Sequence, residues 1–247
     1  MRLLALDTAT EAMAVGLVDG DSQVAVNTEG GAQASDRLIP VALELLAQRG
    51  LAPAALNAVA FGQGPGAFTG LRTAVSVAQG LAFGIGCPVL PIDSLLIVAE
   101  DARAQALGAD TDEPFSVWVA MDARMDESYA ASYRHDGRSW TVIDAPALYD
   151  LPSLAARWSL QGSLSHLAGT AVGAFTGRLP WGNARLWPQA ADRAAALLRL
   201  ARAAWLAGRG VPARQALPIY LRDKVALTTA ERLAAKAAAA QGDGGTR

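Results

Sequence analysis

The sequence predicts an α/β protein made of two similar lobes, each built on a mixed central sheet. An apolar strand at residues 3–6 ends at Asp7, and after a polar turn a second strand-like run follows at 12–18. The same order returns in the second half, where an apolar strand ends at Asp122 and another strand occupies residues 128–133. Chance recurrence of a strand, a turn and a strand is the alternative.

The first half alternates strands and helices. A hairpin turn at 19–21 leads to a third strand, and the apolar residues of the next segment recur at helical spacing up to Gly50, a stop signal. The predicted elements in chain order are a strand at 23–27, a helix at 35–49, a strand at 59–61, a helix at 69–83 capped by Thr69, a strand at 87–92 and a helix from Ser94.

The second half gives fewer local signals. Residues 151–188 are predicted to be loop-rich with one short strand at 167–172, whereas 192–206 follow a clear helical pattern. A strand, a turn and a returning strand in each half are what a duplicated, actin-like architecture shows. The predicted divisions are a first lobe at 1–107, a linker at 108–114, a second lobe at 115–226 and a helical or disordered tail at 227–247.

The composition favours a self-sufficient fold in a reducing compartment. The chain has 247 residues, of which 52% are hydrophobic, enough for a sizeable core. Its single cysteine, Cys87, excludes an intramolecular disulfide, and one thiol with two histidines does not supply a structural zinc site. No signal peptide or apolar membrane segment is found, so a soluble cytoplasmic protein is expected.

The formal net charge of -2 argues against a chain that holds a nucleic-acid backbone by itself. If RNA is involved, another subunit should carry most of the positive charge. Arginines do cluster at residues 178–222, and net charge does not report such local asymmetry.

The strongest local signal is a glycine-rich loop entering a helix, GQGPGAFTGLR at residues 62–72. Glycines permit close approach to the backbone and a helix N-terminus attracts an anion, so the loop suits a phosphate. It lacks the Lys-Ser/Thr pair of a Walker A loop and the spacing of a dinucleotide fingerprint. From spacing alone, a structural turn is the favoured alternative.

Four segments together resemble the TsaB (YeaZ) family: LALDTAT at 4–10, the loop at 62–72, MDARM at 121–125 and PIYLR at 218–222. The resemblance implies an actin-like, RNase H-like (ASKHA) fold with two lobes. It also implies a non-catalytic subunit that pairs with a catalytic homologue, TsaD. With the ATPase TsaE, these proteins place threonylcarbamoyl on the adenosine 3′ to the anticodon of tRNA.

The same resemblance implies no cofactor for this chain, with ATP or ADP and magnesium possible in the complex, and contact with tRNA through the complex. One departure is visible. Ala34, Ser35 and Asp36 stand where the family usually shows His-Ser or His-Thr before Arg-x-x-Pro, so any role of that histidine is lost here.

A nucleotide site of the actin-like type would use the carboxylates at the two strand ends. Asp7 could hold magnesium, but Ala123 and Arg124 follow Asp122 where such ATPases prefer a glycine-bearing phosphate hairpin. We therefore expect a degenerate site with weak or shared binding; turn capping by both aspartates is the alternative. A small ATPase or kinase is the alternative function, although no base or second phosphate loop is found. The candidate residues are Asp7, Thr8, Thr10, Gly64, Gly66, Thr69 and Asp122.

No catalytic residue or metal site is predicted. His135 and His166 lie far apart and neither belongs to an HxxxH helix, so each is expected to be an ordinary solvated side chain. Cys87 precedes Pro88 in an apolar strand, where a buried inert thiol is the usual outcome.

The helices at 35–49 and 69–83 carry the predicted partner surface. Ser76, Gly80 and Gly84 recur at four-residue spacing and would let another helix approach closely. We expect TsaD to bind there, or a second copy when the chain is alone; internal packing of this ridge is the alternative. The candidate interface residues are Leu38, Val41, Leu45, Leu71, Arg72, Val75, Ser76, Ala78, Gln79 and Gly80.

Overall fold

The computed structural model describes residues 1–222, which form ten strands and six α-helices. The tail predicted at 227–247 lies outside the described residues. The strands are β1 (Arg2–Asp7), β2 (Ala12–Asp19), β3 (Ser22–Glu29), β4 (Ala58–Gly64), β5 (Val89–Asp93), β6 (Phe115–Asp122), β7 (Glu127–His135), β8 (Trp140–Asp150), β9 (His166–Ala168) and β10 (Arg185–Trp187). The helices are α1 (Ala34–Gln48), α2 (Phe68–Ile85), α3 (Ser94–Leu107), α4 (Leu151–Gln161), α5 (Ala171–Ala174) and α6 (Arg193–Leu206).

The two five-stranded sheets share one strand order, so the predicted duplication is confirmed. The orders are β3-β2-β1-β4-β5 and β8-β7-β6-β9-β10. In each sheet the first strand pairs antiparallel with the second and parallel with the fourth. Chance recurrence does not explain such a match, and β1 and β6 with their terminal aspartates are equivalent elements.

Alternation along β1 determines what covers the first sheet. Leu4 and Leu6 pack into a core with α1 and α2, whereas Leu3 and Ala5 face the opposite core. Because successive side chains point to opposite faces, a strand that is apolar throughout needs cover on both. The second cover is α6, whose Leu197 is fully buried against this face.

This packing corrects the predicted lobe boundaries. The predicted second lobe spans residues 115–226, but α6 within it packs against β1, β2, β3 and β5 of the first sheet. The chain after it also returns to the first lobe, where Val211 pairs with Val89 and Ala216 is buried. The physical reason is that α3 covers only part of the second face of the first sheet. The remaining apolar residues of that face are buried by a helix from later in the chain.

Helix α3 lies between the two sheets. Its Ile97 packs in the core beneath the first sheet, while Leu95 and Val98 pack with Val117 and Val119 of the second. A helix with apolar partners on several sides is buried nearly all round. The two lobes therefore share a buried helix.

Parts of the second lobe differ from the prediction. Strand β8 was not predicted, and α4 lies within the region predicted to be loop-rich. The strand predicted at 167–172 ends at Ala168, because Gly169 adopts a left-handed conformation (φ 111°) and turns the chain into α5. None of the helices within residues 1–222 combines the length and apolar character needed to span a bilayer.

Candidate functional site

Asp7, at the end of β1, is fully buried and its carboxylate is fully engaged. Oδ1 accepts hydrogen bonds from the Ala9 amide at 2.8 Å and from Arg193 Nη2 at 3.2 Å. Oδ2 accepts from Ser94 Oγ at 3.1 Å, and a Cβ on Gly62 would lie 1.9 Å from that oxygen. The Ala9 bond is the turn cap considered as the alternative to a metal ligand, and the buried arginine neutralises the charge that a cation would need.

The glycine-rich loop packs its backbone against the turn after β1. A Cβ on Gly70 would lie 1.8 Å from Thr8 O, and one on Gly66 would lie 2.5 Å from Ala9 O. The Thr8 hydroxyl also donates to Gly70 O at 2.6 Å. Internal packing thus explains both glycines, in agreement with the alternative prediction that this loop is a structural turn.

The remaining two threonines predicted to bind phosphate, Thr10 and Thr69, do not point to a phosphate site. Thr10 Oγ1 donates to Ala12 O at 3.0 Å. The prediction that Thr69 caps α2 is wrong, because the helix begins at Phe68 and its N-cap residue, Ala67, makes no side-chain cap bond. Thr69 lies within the first turn, where its own backbone is already helical and its side chain is not positioned as a cap.

Asp122 ends β6 at the equivalent place in the second lobe. Its Oδ1 accepts from the Arg124 amide at 2.8 Å. Arg124, Met125 and Asp126 then have φ values of 66°, 59° and 57°, a left-handed run that costs non-glycine residues conformational energy. This turn aims Arg124 at the first lobe, where its Nη2 lies 3.4 Å from Glu11 Oε1.

The two lobes face each other across a cleft of about 760 Å³. Much of its wall is apolar, with Leu71, Leu95, Val98 and Met121 among the lining residues. The predicted phosphate residues do not converge there. Those that line the cleft are Thr10, Gly66 and Asp122, and those that do not are Asp7, Thr8, Gly64 and Thr69.

The residues present do not fit a magnesium nucleotide bound in the actin-like manner. Asp7 is neutralised by Arg193, and the space beside Gly66 and Gly70 is filled by backbone carbonyls. Within residues 1–222, no three His, Cys, Asp or Glu side chains are grouped so that they could hold a metal ion.

The two histidines are less solvated than predicted. His135 is 8% exposed, and burial together with the nearby charge of Arg103 lowers its pKa. His166 stacks on Phe115 with ring centroids 4.5 Å apart. Neither lines the cleft. Cys87 is half-buried, and burial raises the pKa of its thiol, which disfavours the reactive thiolate.

Half of the ten predicted interface residues are buried inside the first lobe. A helix on a sheet turns its apolar stripe inward, so these side chains cannot contact a partner while the lobe is folded. The five with exposed fractions of 6% or less are Leu38, Leu45, Leu71, Val75 and Ala78. Val41 and Gln79 are partly buried, and Arg72, Ser76 and Gly80 are exposed.

The outward face of α1 and α2 has apolar residues of its own, and these are not among the predicted interface residues. Ile39, Leu43 and Phe83 are 42%, 43% and 80% exposed. No atom lies within 4 Å of a Cβ built on Gly80 or Gly84 in the described part of the chain, so the small-residue ridge points outward. A shallow depression on this face is lined by Ser76, Gln79, Gly80, Phe83 and Arg214.

Two lobes with one strand order, facing each other across a cleft, define the actin-like, RNase H-like class that the sequence predicted. The family model described as "TsaD: tRNA N6-adenosine threonylcarbamoyltransferase" matches residues 27–172. A solved structure titled "YeaZ from Pseudomonas aeruginosa" superposes with a TM-score of 0.76 at 37% identity, covering 89% of this chain and 100% of that one.

Curated relatives agree with this class. The tRNA threonylcarbamoyladenosine biosynthesis protein TsaB of Haemophilus influenzae is 34% identical over 91% of this chain and 95% of its own length. The protein of the same name from Escherichia coli is 32% identical, covering 92% and 96%. The chain belongs to the TsaB (YeaZ) family, which shares the domain that the TsaD model describes, and the resemblance drawn from the sequence is confirmed.

Proposed function

We propose that this chain is a non-catalytic, partner-binding subunit in tRNA threonylcarbamoyladenosine biosynthesis. Family membership supports a role in this biosynthesis. The observation that supports a partner-binding subunit is the outward face of α2, where Phe83 lies beside a glycine ridge. Its principal partner is TsaD, the catalytic homologue, with the ATPase TsaE completing the complex. Alone, the chain forms a homodimer through the same face. It reaches tRNA through the complex, in the cytoplasm.

The paired state of Asp7 supports the non-catalytic part of this proposal. An acid neutralised by Arg193 is a poor magnesium ligand, and the Ser94 hydroxyl, which lines the cleft, donates to this paired carboxylate rather than to a free base. The chain itself then requires no cofactor. ATP or ADP with magnesium, where the complex uses them, is held by other groups than this carboxylate.

The outward face of α2 supports a close helix contact. Ser76, Gly80 and Gly84 let a partner backbone approach, and the exposed ring of Phe83 supplies an apolar anchor of the kind that dominates interface energetics. Glycine inside a helix costs about 1 kcal/mol relative to alanine. A partner that exploits the glycine surface compensates for that cost.

The proposal is tested by substituting Gly80→Arg, with Gly173→Arg on the second lobe as a matched control, since both positions have no atom within 4 Å of a built Cβ. A buried unpaired arginine should weaken TsaD binding and self-association by about tenfold or more, about 1.4 kcal/mol. Titration calorimetry with TsaD and sedimentation of the lone chain measure this. Unchanged binding by a folded Gly80→Arg variant would reject the interface.

An ATP turnover assay separates this proposal from the kinase alternative. The purified chain alone should hydrolyse no ATP beyond the rate of an Asp7→Asn variant. Rapid hydrolysis by the parent chain that this substitution removes would favour the enzyme.

A further inference from the structure

Residues 216–222, termed the strap, join the two lobes along one side of the cleft. At its first-lobe end Ala216 is buried, and the Ile219 amide donates to Gln63 O at 2.7 Å. Gly64 has φ 109°, and a Cβ there would lie 2.7 Å from Ile219 O, so a glycine is needed where the strap crosses the loop. Gly64, one of the predicted phosphate residues, is thus explained by its close contact with the strap.

At its second-lobe end the strap is held by Arg222. Its Nη2 donates to Ala123 O at 2.8 Å and forms an ion pair with Glu127, and the Arg222 side chain is only 14% exposed. Nη1 lies 3.1 Å from Met125 Sδ in the left-handed turn. A single arginine therefore fastens the strap to the turn that follows β6.

Between these ends the strap forms part of the cleft wall and touches the outward face of α2. Ile219 and Tyr220 line the cleft. The Tyr220 hydroxyl accepts from Arg72 Nε at 3.0 Å, and its ring lies 5.0 Å from that of Phe68. Arg72, stacked on Phe68 at 3.8 Å, is four residues before Ser76 and so belongs to the same outward row as the glycine ridge.

We propose that the strap is a latch that holds the interlobe cleft closed, and that Tyr220 and Arg72 couple this closure to occupation of the outward face of α2. The second part rests on the proposed partner face. Coupling is reciprocal: if closure orders Arg72 for the partner, a bound partner must in turn hold the cleft closed. The latch makes the partner surface responsive to the state of the cleft.

Closure is measured through a thiol in the cleft wall. Val98 lines the cleft and is 4% exposed, so a Val98→Cys chain in a Cys87→Ser background should react slowly with a soluble thiol reagent. Arg222→Gln should speed labelling by about tenfold, which corresponds to about 1.4 kcal/mol of closed-state stabilisation. Tyr220→Phe should speed it by a smaller factor, because it removes only the hydroxyl bond to Arg72.

Arg2→Gln is the matched control, since it breaks an exposed ion pair with Asp19 inside the first lobe and should leave the rate unchanged. If the Arg222→Gln chain is labelled at the same rate as the control, the latch proposal is wrong. Circular dichroism checks folding, and if Arg222→Gln does not fold, Tyr220→Phe decides by the same comparison.

Saturating TsaD tests the coupling. TsaD should slow labelling of the Val98→Cys chain. It should not slow labelling when Gly80→Arg is also present. Arg222→Gln should still speed labelling in that Gly80→Arg chain. TsaD that binds without slowing the thiol overturns the coupling. Absence of any TsaD binding instead contradicts the proposed function, and the rates of the lone chain still decide the latch.

Discussion

Glu100 is a buried acid that joins three elements. Its carboxylate accepts from Arg103 Nε at 3.0 Å within α3, from Arg199 of α6, and from Trp140 Nε1 of β8 at 3.0 Å. Burial raises the pKa of Glu100, but the hydrogen bonds and charges of the two arginines lower it further, so the pKa lies below its ordinary 4.5. The ionised carboxylate thus contributes to stability across both lobes.

Substituting Glu100→Gln should lower the free energy of unfolding by about 3 kcal/mol at pH 7, because two arginines lose their buried counter-charge. The folded state binds the proton less readily than the unfolded state. The parent's contribution from Glu100 is therefore full above pH 4.5 and declines as the pH falls through the folded-state pKa. Urea unfolding from pH 7 to about pH 3 should show a constant difference above pH 4.5 and convergence of the two chains below it; a difference that stays constant over the whole range would contradict the assignment.

Two glycines of α2 should respond oppositely to alanine. Gly70→Ala should destabilise the fold by about 3 kcal/mol or more, because its Cβ would lie 1.8 Å from the Thr8 carbonyl oxygen. Gly84→Ala should stabilise it by about 0.5–1 kcal/mol, because the site is open and alanine favours a helix. Thermal unfolding of the pair measures both, and equal effects would show that internal packing does not distinguish these positions.

At this scale the sequence indicated the turn after Asp7 but not the partner of its charge. Magnesium binding and turn capping are the two roles predicted for Asp7, and the hydrogen bond from Ala9 is the capping one. Its ion pair with Arg193 crosses 186 residues and has no local signal. The outward residues Ile39 and Leu43, by contrast, are four positions apart and lie outside the buried stripe of α1, so their exposure is predictable from helical periodicity.

Helix α6 begins with a reciprocal lock to β3. Asp192 accepts from the Ala195 amide at 2.9 Å as an N-cap and from Asn27 Nδ2 at 2.7 Å. Asn27 Oδ1 in turn accepts from the Ala194 amide at 3.0 Å. The lock orients the helix over the first sheet and satisfies two of its otherwise free amides.

Asp192→Ala should destabilise the chain by about 1–2 kcal/mol, because the cap and the link to β3 are lost together. Asp36→Ala in the first turn of α1 is the control. Among the described residues its side chain accepts only from Ser35, so its effect should be small. Denaturant midpoints compare the two, and an equal loss in both variants would mean that Asp192 acts only through general helix electrostatics.

Elements with a strong apolar period were predictable, and α4 shows what was missed. The helix predicted at 35–49 is α1 with its ends moved by one residue. In α4 the glycines and prolines that follow in the chain obscured a regular signal. Asp150 caps it and Leu151, Leu154 and Trp158 are buried at helical spacing. Strand β8 is exposed or half-buried along most of its length and lacks a regular alternation of buried and exposed residues, so the local sequence does not predict it.

The whole molecule is held as one unit by contacts that cross the lobe boundary. Helix α3 packs on both sheets, and the Tyr133 hydroxyl of the second lobe donates to Asp93 of the first at 2.6 Å. Burial raises the pKa of Asp93, and burial with the Asp93 charge raises that of Tyr133. The duplication was visible in sequence, but the assignment of α6 to the first sheet was not, because nothing local tells a helix which sheet it will cover.

Leu197→Ala tests whether the lobes unfold together. The side chain is fully buried in α6 under the first sheet, so its loss should cost about 3 kcal/mol. Tryptophan fluorescence reports largely on the second lobe, where Trp118 and Trp158 are buried. The fluorescence midpoint should shift as far as that of far-UV circular dichroism. Leu206→Ala, 72% exposed in the same helix, is the control, and an unmoved fluorescence midpoint would indicate independent lobes.

The late position of α6 also sets an order of events on the ribosome. Domains generally form as they emerge, N-terminal first. Here the strands of the second sheet, ending at Trp187, are synthesised before Arg193–Leu206, the helix that seals the first sheet. The earliest-made sheet is therefore the last to be completed, and one of its apolar faces stays only partly covered until that helix has been made.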